Sequence, residues 1–227
     1  LPNEKNLISN VFYEADVNGK SYSRAIDKVI YDHMTPQTRF PKSDVSLIKF
    51  DINLKANKVG YLMGSGDKVP ESLSLVGYDV DLLEKNDINL KKLENYDALI
   101  IGVRAFNSDK SLFEIKSKLM DYMNLGGNVI VQYNTSRNLD VNKFAPYSFK
   151  LSRKRVSQED ANVQITNKNH PALNYPNKIK IEDFDGWVQE RGLYFPDSWS
   201  DKYQTVISSN DIGEDPNDGG ILIGKVG

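Results

Sequence analysis

The pattern of apolar and polar positions changes character near residue 58. Before it no stretch carries a helical period, and short apolar runs alternate with turn residues. VFYEADV (Val11–Val17), then Asn18-Gly19-Lys20, then SYSRAIDKVIYDHM read as strand, tight turn and strand, because Asn-Gly supplies the positive backbone angles of a two-residue hairpin. Pro36 and Pro41 punctuate TPQTRFPKSD, and VSLIKFDINL, with Val45, Leu47 and Phe50, predicts another strand. The segment is too short for an independent sandwich, so residues 1–56 are expected to be a β-rich segment that closes a preceding domain or linker.

From Lys58 the chain alternates between two periods. KVGYLMGSGD is a compact apolar strand entering a glycine-rich turn. DKVPESLSLVGY follows as a helix, with Pro70 in its first turn, Leu73 and Val76 on one face and Gly77 as its stop. DVDLL (Asp79–Leu83) predicts a second strand; DALIIGV (Asp97–Val103) and NVIVQYN (Asn128–Asn134) are continuous apolar runs, expected to be strands buried on both faces. Between them SLFEIKSKLMDYMNLGG carries a helical stripe of Leu112, Ile115, Leu119, Met120 and Met123, ended by Gly126-Gly127. The alternation predicts an α/β domain over 57–227, a parallel sheet flanked by helices.

Past Asn134 the regularity falls away. Short strand candidates lie in a loop-rich background around His170-Pro171, and EDFDGWVQERGLYFPDSW has the aromatic and charged composition of an ordered functional excursion. YQTVISSND and GGILIGKVG read as two late strands, and the latter stops at Gly227 with no turn behind it, so the domain is expected to continue.

Composition narrows the chemistry. The 227 residues hold 29 Lys and Arg against 31 Asp and Glu, a net charge of −2, which gives no field for a polyanion; no nucleic-acid partner is expected. No run approaches the roughly 18 apolar residues that span a bilayer, so no membrane partner is expected either. The absence of cysteine excludes a thiol nucleophile, a disulfide and an iron–sulfur or thiolate zinc site. His33 and His170 stand far apart, outside any H-x-x-x-H or H-E-x-x-H frame, so no metal is expected. No cofactor is expected either: the Gly64-Ser65-Gly66-Asp67 turn has Val69 where a dinucleotide fingerprint has its third glycine, and it lacks the G-K-[ST] of a phosphate loop.

In an open parallel sheet, ligands bind outside the carboxyl ends of the strands. That rule selects Ser65 and Asp67 after the first strand, Arg104 and Asn107 after the third, Tyr133, Asn134 and Arg137 in the Gln132–Arg137 turn after the fourth, and part of the 183–199 excursion. Ser65 has no nucleophile elbow around it and reads better as a turn hydroxyl. Arg104 and Arg137 have forks suited to carboxylates, phosphates or sugar hydroxyls, with surface ion pairing as the alternative. Asp183, Asp185 and Glu190 with Trp187 and Tyr194 resemble a carbohydrate-binding palette, since carboxylates accept from hydroxyls and rings stack on sugar faces, and Arg191 beside them is a further ligand-binding candidate. A pair of these carboxylates is also the raw material of a glycosidase. The plainer reading has the rings packing a loop and the carboxylates solvated or paired with Arg191.

The runs KVGYLMGSGDKVPESL, YDALIIGVRAFN, GGNVIVQYNTS, PYSFKLSRKRVSQEDA, HPALNYPNKI and DFDGWVQERGLYFPDSW together resemble the C-terminal region of large bacterial, Bacteroidetes-type PIG-L/LmbE family deacetylases, with WVQERGLYFP the most specific block. The resemblance covers nearly all of 58–227. It implies a class I glutamine-amidotransferase-like (flavodoxin-like) fold, related to trehalose-utilisation-type proteins. It also implies a protein exported to the periplasm or beyond, with a deacetylase domain N-terminal in the same chain as partner. Two departures matter: the turn after NVIVQYN offers Tyr133, Asn134 and Thr135 where an amidotransferase has its cysteine, and His170-Pro171 lacks the Asp-Asp of a zinc A-H-P-D-D motif. The expectation is therefore a non-catalytic accessory domain of an N-acetyl-sugar deacetylase that binds a glycan or small polar ligand or positions its neighbour. The alternatives are a carboxylate-dependent glycoside hydrolase and a purely structural interaction module.

Overall fold

The computed structural model describes residues 7–49, 51–187 and 191–227. The chain divides into two units, Leu1–Ile52 and Asn53–Gly227. In the first, β1 (Leu7–Phe12) is followed by β2 (Ala15–Val17), β3 (Lys20–Tyr22), β4 (Asp27–Tyr31), β5 (Met34–Arg39) and β6 (Asp44–Lys49). They form three antiparallel pairs, β1 with β6, β2 with β3 and β4 with β5. The run Val11–Val17, expected as one strand, is split between β1 and β2. Asn18 and Gly19 take φ of 51° and 75°, the geometry of a two-residue hairpin turn. No described residue whose accessibility is defined in this unit is buried.

The second unit opens with the alternating region: β7 (Lys58–Leu62), α1 (Val69–Leu75), β8 (Asp79–Leu83), α2 (Leu90–Leu93), β9 (Ala98–Ile101), α3 (Ala105–Ser108), α4 (Lys116–Asn124) and β10 (Asn128–Val131). The four strands form one parallel sheet in the order β10-β9-β7-β8. Its centre is apolar because β7 and β9 present side chains to both faces: Leu62, Leu99 and Ile101 join Ile115, Leu119 and Phe106 on one side, while Val59, Tyr61 and Ile100 form the smaller cluster. The helical stripe at 111–127 is realised as a 3₁₀ segment over Lys110–Ile115 that runs into α4. Among the described α-helices α1 has seven residues and α4 nine, while α2 and α3 have four each.

NVIVQYN is not the buried strand its apolar run predicts. β10 lies at the edge of the sheet, and Ile130 and Val131 are 51% and 38% exposed.

The rest of the chain corrects the expected fold class. It contains β11 (Phe149–Val156), β12 (Val163–Ile165), β13 (Gly192–Trp199), β14 (Tyr203–Thr205), β15 (Ile207–Ser209) and β16 (Leu222–Gly224), paired antiparallel as β11 with β13, β12 with β15 and β14 with β16. A helix-flanked, flavodoxin-like parallel sheet therefore does not describe 57–227: four parallel strands end at Val131, and two-stranded antiparallel ribbons follow. The physical reason lies in the sequence period, because no helical repeat follows Asn134 to supply a crossover. The 183–199 excursion is likewise half strand, with Pro196 accommodated where the β11/β13 register breaks. YQTVISSND divides at Val206 into two strands that pair with different partners.

Candidate functional site

Strand order reverses between β7 and β9, which makes the loops after them the expected ligand crevice. Backbone closes it. A Cβ added to Gly64 would stand 2.0 Å from the Val103 carbonyl oxygen, so only glycine fits, and the Ser65 amide donates to that same oxygen at 2.8 Å. The Asp67 carboxylate accepts the Tyr61 hydroxyl at 2.8 and 2.9 Å and the Val69 amide at 2.9 Å. Tyr61 is fully buried, and desolvation, reinforced by Asp67, pushes its phenol well above the ordinary value, so it stays a neutral donor. Gln132 Nε2 donates to the same phenol oxygen at 3.1 Å.

The remaining candidates there serve the turns. Ser65 Oγ lies 3.4 Å from another hydroxyl, Ser108 Oγ, which itself donates to the Arg104 carbonyl at 2.7 Å. Arg104 adopts the left-handed conformation, φ 55°, and its amide donates to the Tyr133 carbonyl at 2.7 Å, while its side chain is exposed. Asn107 clamps the loop after β10: its Oδ1 accepts the Thr135 amide at 2.8 Å, and its Nδ2 donates to the carbonyls of Thr135 and Arg137 at 3.2 and 3.3 Å. Ser65, Asp67, Arg104, Asn107 and Arg137 do not line the cavity that lies beside β10.

The other candidates do converge. Tyr133, Asn134, Trp187 and Arg191 line a cavity of about 500 Å³ beside β10. Its wall is apolar: Leu119 and Met123 from α4, Val129 and Val131 from β10, and Phe149, Leu151, Leu193 and Phe195 from the β11/β13 ribbon. Tyr194, at φ 58°, tilts toward Tyr133 with ring centroids 6.1 Å apart. Trp187 lies 5.5 Å from the Phe184 ring and under the Arg191 guanidinium at 5.4 Å. Arg191 is fixed by donating through Nε to the Ala161 carbonyl at 3.1 Å and through Nη1 to the Phe184 carbonyl at 2.9 Å.

Asn134 is the chemically unfinished member of this group. It is 7% exposed, and its Nδ2 donates to the Gln132 carbonyl at 2.9 Å. Its Oδ1 is buried without a hydrogen-bond partner among the described residues. Turning the amide over would set oxygen against oxygen at Gln132, so the unpaired atom is an acceptor. A buried acceptor left empty costs about 1–3 kcal/mol.

Asp183 and Asp185 do not join the cavity. Asp183 accepts the Lys180 amide at 2.7 Å as a cap, Asp185 is exposed, and Glu190 lies outside the described residues. His170 is spent on a local turn, its Nδ1 accepting the Ala172 amide at 3.1 Å. Among the described residues no three His, Asp or Glu side chains gather as metal ligands, and no helix is long and apolar enough to cross a membrane.

Sequence reasoning misses Phe184 and the apolar wall. The signal was the period of two in Phe149/Leu151 and Leu193/Phe195, which marks one face of a strand pair.

No protein-family model matches the chain, and no curated protein matches it. Among solved structures, a crystal structure of a thua-like protein from Bacteroides uniformis ATCC 8492 is similar at 16% identity and a TM-score of 0.42, over 70% of this chain and 71% of that one. Neither fold nor activity is taken from that likeness.

Proposed function

We propose that the 53–227 unit is a non-catalytic glycan-binding domain, accessory to an N-acetyl-sugar deacetylase of the PIG-L/LmbE type carried in the same exported polypeptide. The observation that carries the binding part is the convergence of Tyr133, Asn134, Trp187 and Arg191 on one cavity. Aromatic rings at its rim offer stacking faces, with Trp187 47% exposed, and Gln132, Tyr133 and Asn217 place polar groups in its lining. The glycosidase alternative draws no support from Asp183, whose carboxylate is committed to a cap. The accessory and exported parts rest on the sequence resemblance.

Calorimetry with N-acetylglucosamine oligosaccharides tests the reading. Binding heat is expected with the wild type, falling at least tenfold in affinity in Trp187→Ala. No heat with any oligosaccharide overturns it.

A further inference from the structure

We infer that the glycan bound at this cavity is acidic, a chain bearing carboxylate or sulfate groups, and that Arg153, Lys154 and Arg155 on β11 receive its charge. The inference rests on the reading of the cavity as a glycan site, and it names the charge of that glycan.

The sequence concentrates positive charge in one strand. Residues 146–156 hold Lys150, Arg153, Lys154 and Arg155 and no carboxylate, in a chain whose net charge is −2. A basic run of this density is a pattern of polyanion recognition. All four residues are exposed, and none of their side chains makes an ion pair, a hydrogen bond or a ring contact among the described residues. Asp211, whose carboxylate feels the Arg155 charge, is buried and already accepts the Ser157 and Gln158 amides. A single lysine can guard a strand edge against pairing, whereas neighbouring like charges repel one another, so the uncompensated run calls for an anion.

Local structure sets these cations beside the cavity. Between Leu151, opposite Pro196, and Lys154, opposite Phe195, the ladder has no place for Ser152 and Arg153. The Ser152 hydroxyl holds this bulge, donating to the Phe195 carbonyl at 2.6 Å and accepting the Lys154 amide at 2.9 Å, and a bulge re-aims the side chain it carries. Lys154 and Arg155 stand opposite Phe195 and Leu193, both of which line the cavity, as do Phe149 and Leu151 earlier on β11. A glycan seated there runs beside guanidinium forks suited to a carboxylate or sulfate. Nucleic acid is the poorer fit: the net charge of −2 supplies no general field, and the four cations cover only roughly 17 Å of strand.

Calorimetry on the full chain tests the inference with hyaluronan oligosaccharides, in which glucuronate alternates with N-acetylglucosamine, against N-acetylglucosamine oligosaccharides of equal length. At about 50 mM salt the acidic chain is expected to bind about tenfold more tightly, and at about 200 mM the advantage is expected to shrink to about threefold. Replacing the three cations together, Arg153→Ser, Lys154→Ser and Arg155→Ser, is expected to remove the advantage, and Arg153→Lys with Arg155→Lys to retain most of it. Equal affinity of the wild type for the two chains, or an advantage that salt does not reduce, overturns the inference whether or not the variants fold. A preference that survives the triple replacement also overturns it, as does an oligodeoxythymidylate of equal charge that binds as tightly as the acidic chain, which would make the patch a nucleic-acid surface. Neutral oligosaccharide binding without an acidic advantage removes this inference and leaves the glycan reading standing; silence from every oligosaccharide overturns both.

Discussion

Two polar neighbourhoods of the second unit invite the same expectation and meet opposite fates. At the reversal between β7 and β9 each described polar contact is made within the protein: Asp67 is taken by Tyr61 and Val69, Asn107 by Thr135 and Arg137, and Gly64 by the Val103 carbonyl against its face. Beside β10 a cavity of about 500 Å³ stays open, and Asn134 in its lining keeps one buried acceptor without a partner among the described residues. Gln132 touches both, donating to Tyr61 on one side and lining the cavity on the other. A strand-order reversal thus locates a crevice only when the loops leave one. Here complementarity of the loops produces stability, and its incompleteness one strand away leaves room for a ligand.

The sharpest way to break the closed side is Gly64→Ala. The added methyl meets backbone rather than a movable side chain, so the loops must part, and a loss of about 3 kcal/mol is expected in urea denaturation. A loss below about 1 kcal/mol would show that the two loops are not in that contact.

On the cavity side the corresponding weak point is Asp211. Its buried carboxylate accepts the amides of Ser157 and Gln158 and the Ser157 hydroxyl at 2.6–3.0 Å, fixing the segment that carries the cavity-lining Ser209. Those bonds, the Gln158 amide foremost, hold its pKa below the ordinary 3.8. The sign follows: the contribution is complete above the unfolded-state value and is lost as pH falls through the lower folded one. Asp211→Ala is expected to cost about 2 kcal/mol at neutral pH and to flatten this part of the acid limb. An unchanged acid limb would remove Asp211 from that role.

A smaller effect is expected at the bridge between the two sides. Tyr61→Phe removes the donor to Asp67 and the acceptor of Gln132, for about 1–2 kcal/mol. Because the folded-state phenol titrates above its ordinary value of 10.0, the wild type loses this contribution as pH rises beyond that value and the variant does not. Parallel alkaline limbs for the two proteins would contradict the assignment.

What the sequence disclosed follows from which interactions are local. The strands at 58–62, 79–83 and 98–101 were legible because short runs rich in Val, Leu and Ile, ended by glycine or by the polar Glu84-Lys85-Asn86-Asp87, need no distant information. The Asn18-Gly19 turn was legible for the same reason. The exposed edge of β10 was not, since burial depends on what pairs beyond it and the residues of NVIVQYN are equally apolar either way. Nor was the pairing of β11 with β13, which joins residues far apart in sequence and passes through three irregularities. Of the candidate residues, Tyr133, Asn134, Trp187 and Arg191 were found by type and meet in the cavity. Ser65, Asp67 and Asn107 have the same chemical types, and their local bonds, invisible in sequence, use them up.

Arg104 is where the comparison is most finely resolved. A non-glycine residue at φ 55° carries a strain of about 1 kcal/mol, and at the end of a strand such strain invites a functional reading. Its surroundings explain it locally: the turn must deliver the Arg104 amide to Tyr133 and its carbonyl to Ser108, and the guanidinium stands exposed, outside the cavity. Arg104→Gly relieves the strain and adds freedom to the unfolded chain, two terms of similar size and opposite sign. Stability is therefore expected to change by less than about 1 kcal/mol, with affinity for any cavity ligand unchanged, as read by urea denaturation and calorimetry on one preparation. A tenfold loss of affinity without a loss of stability would move the ligand toward the strand-order reversal and reverse the roles assigned to the two neighbourhoods.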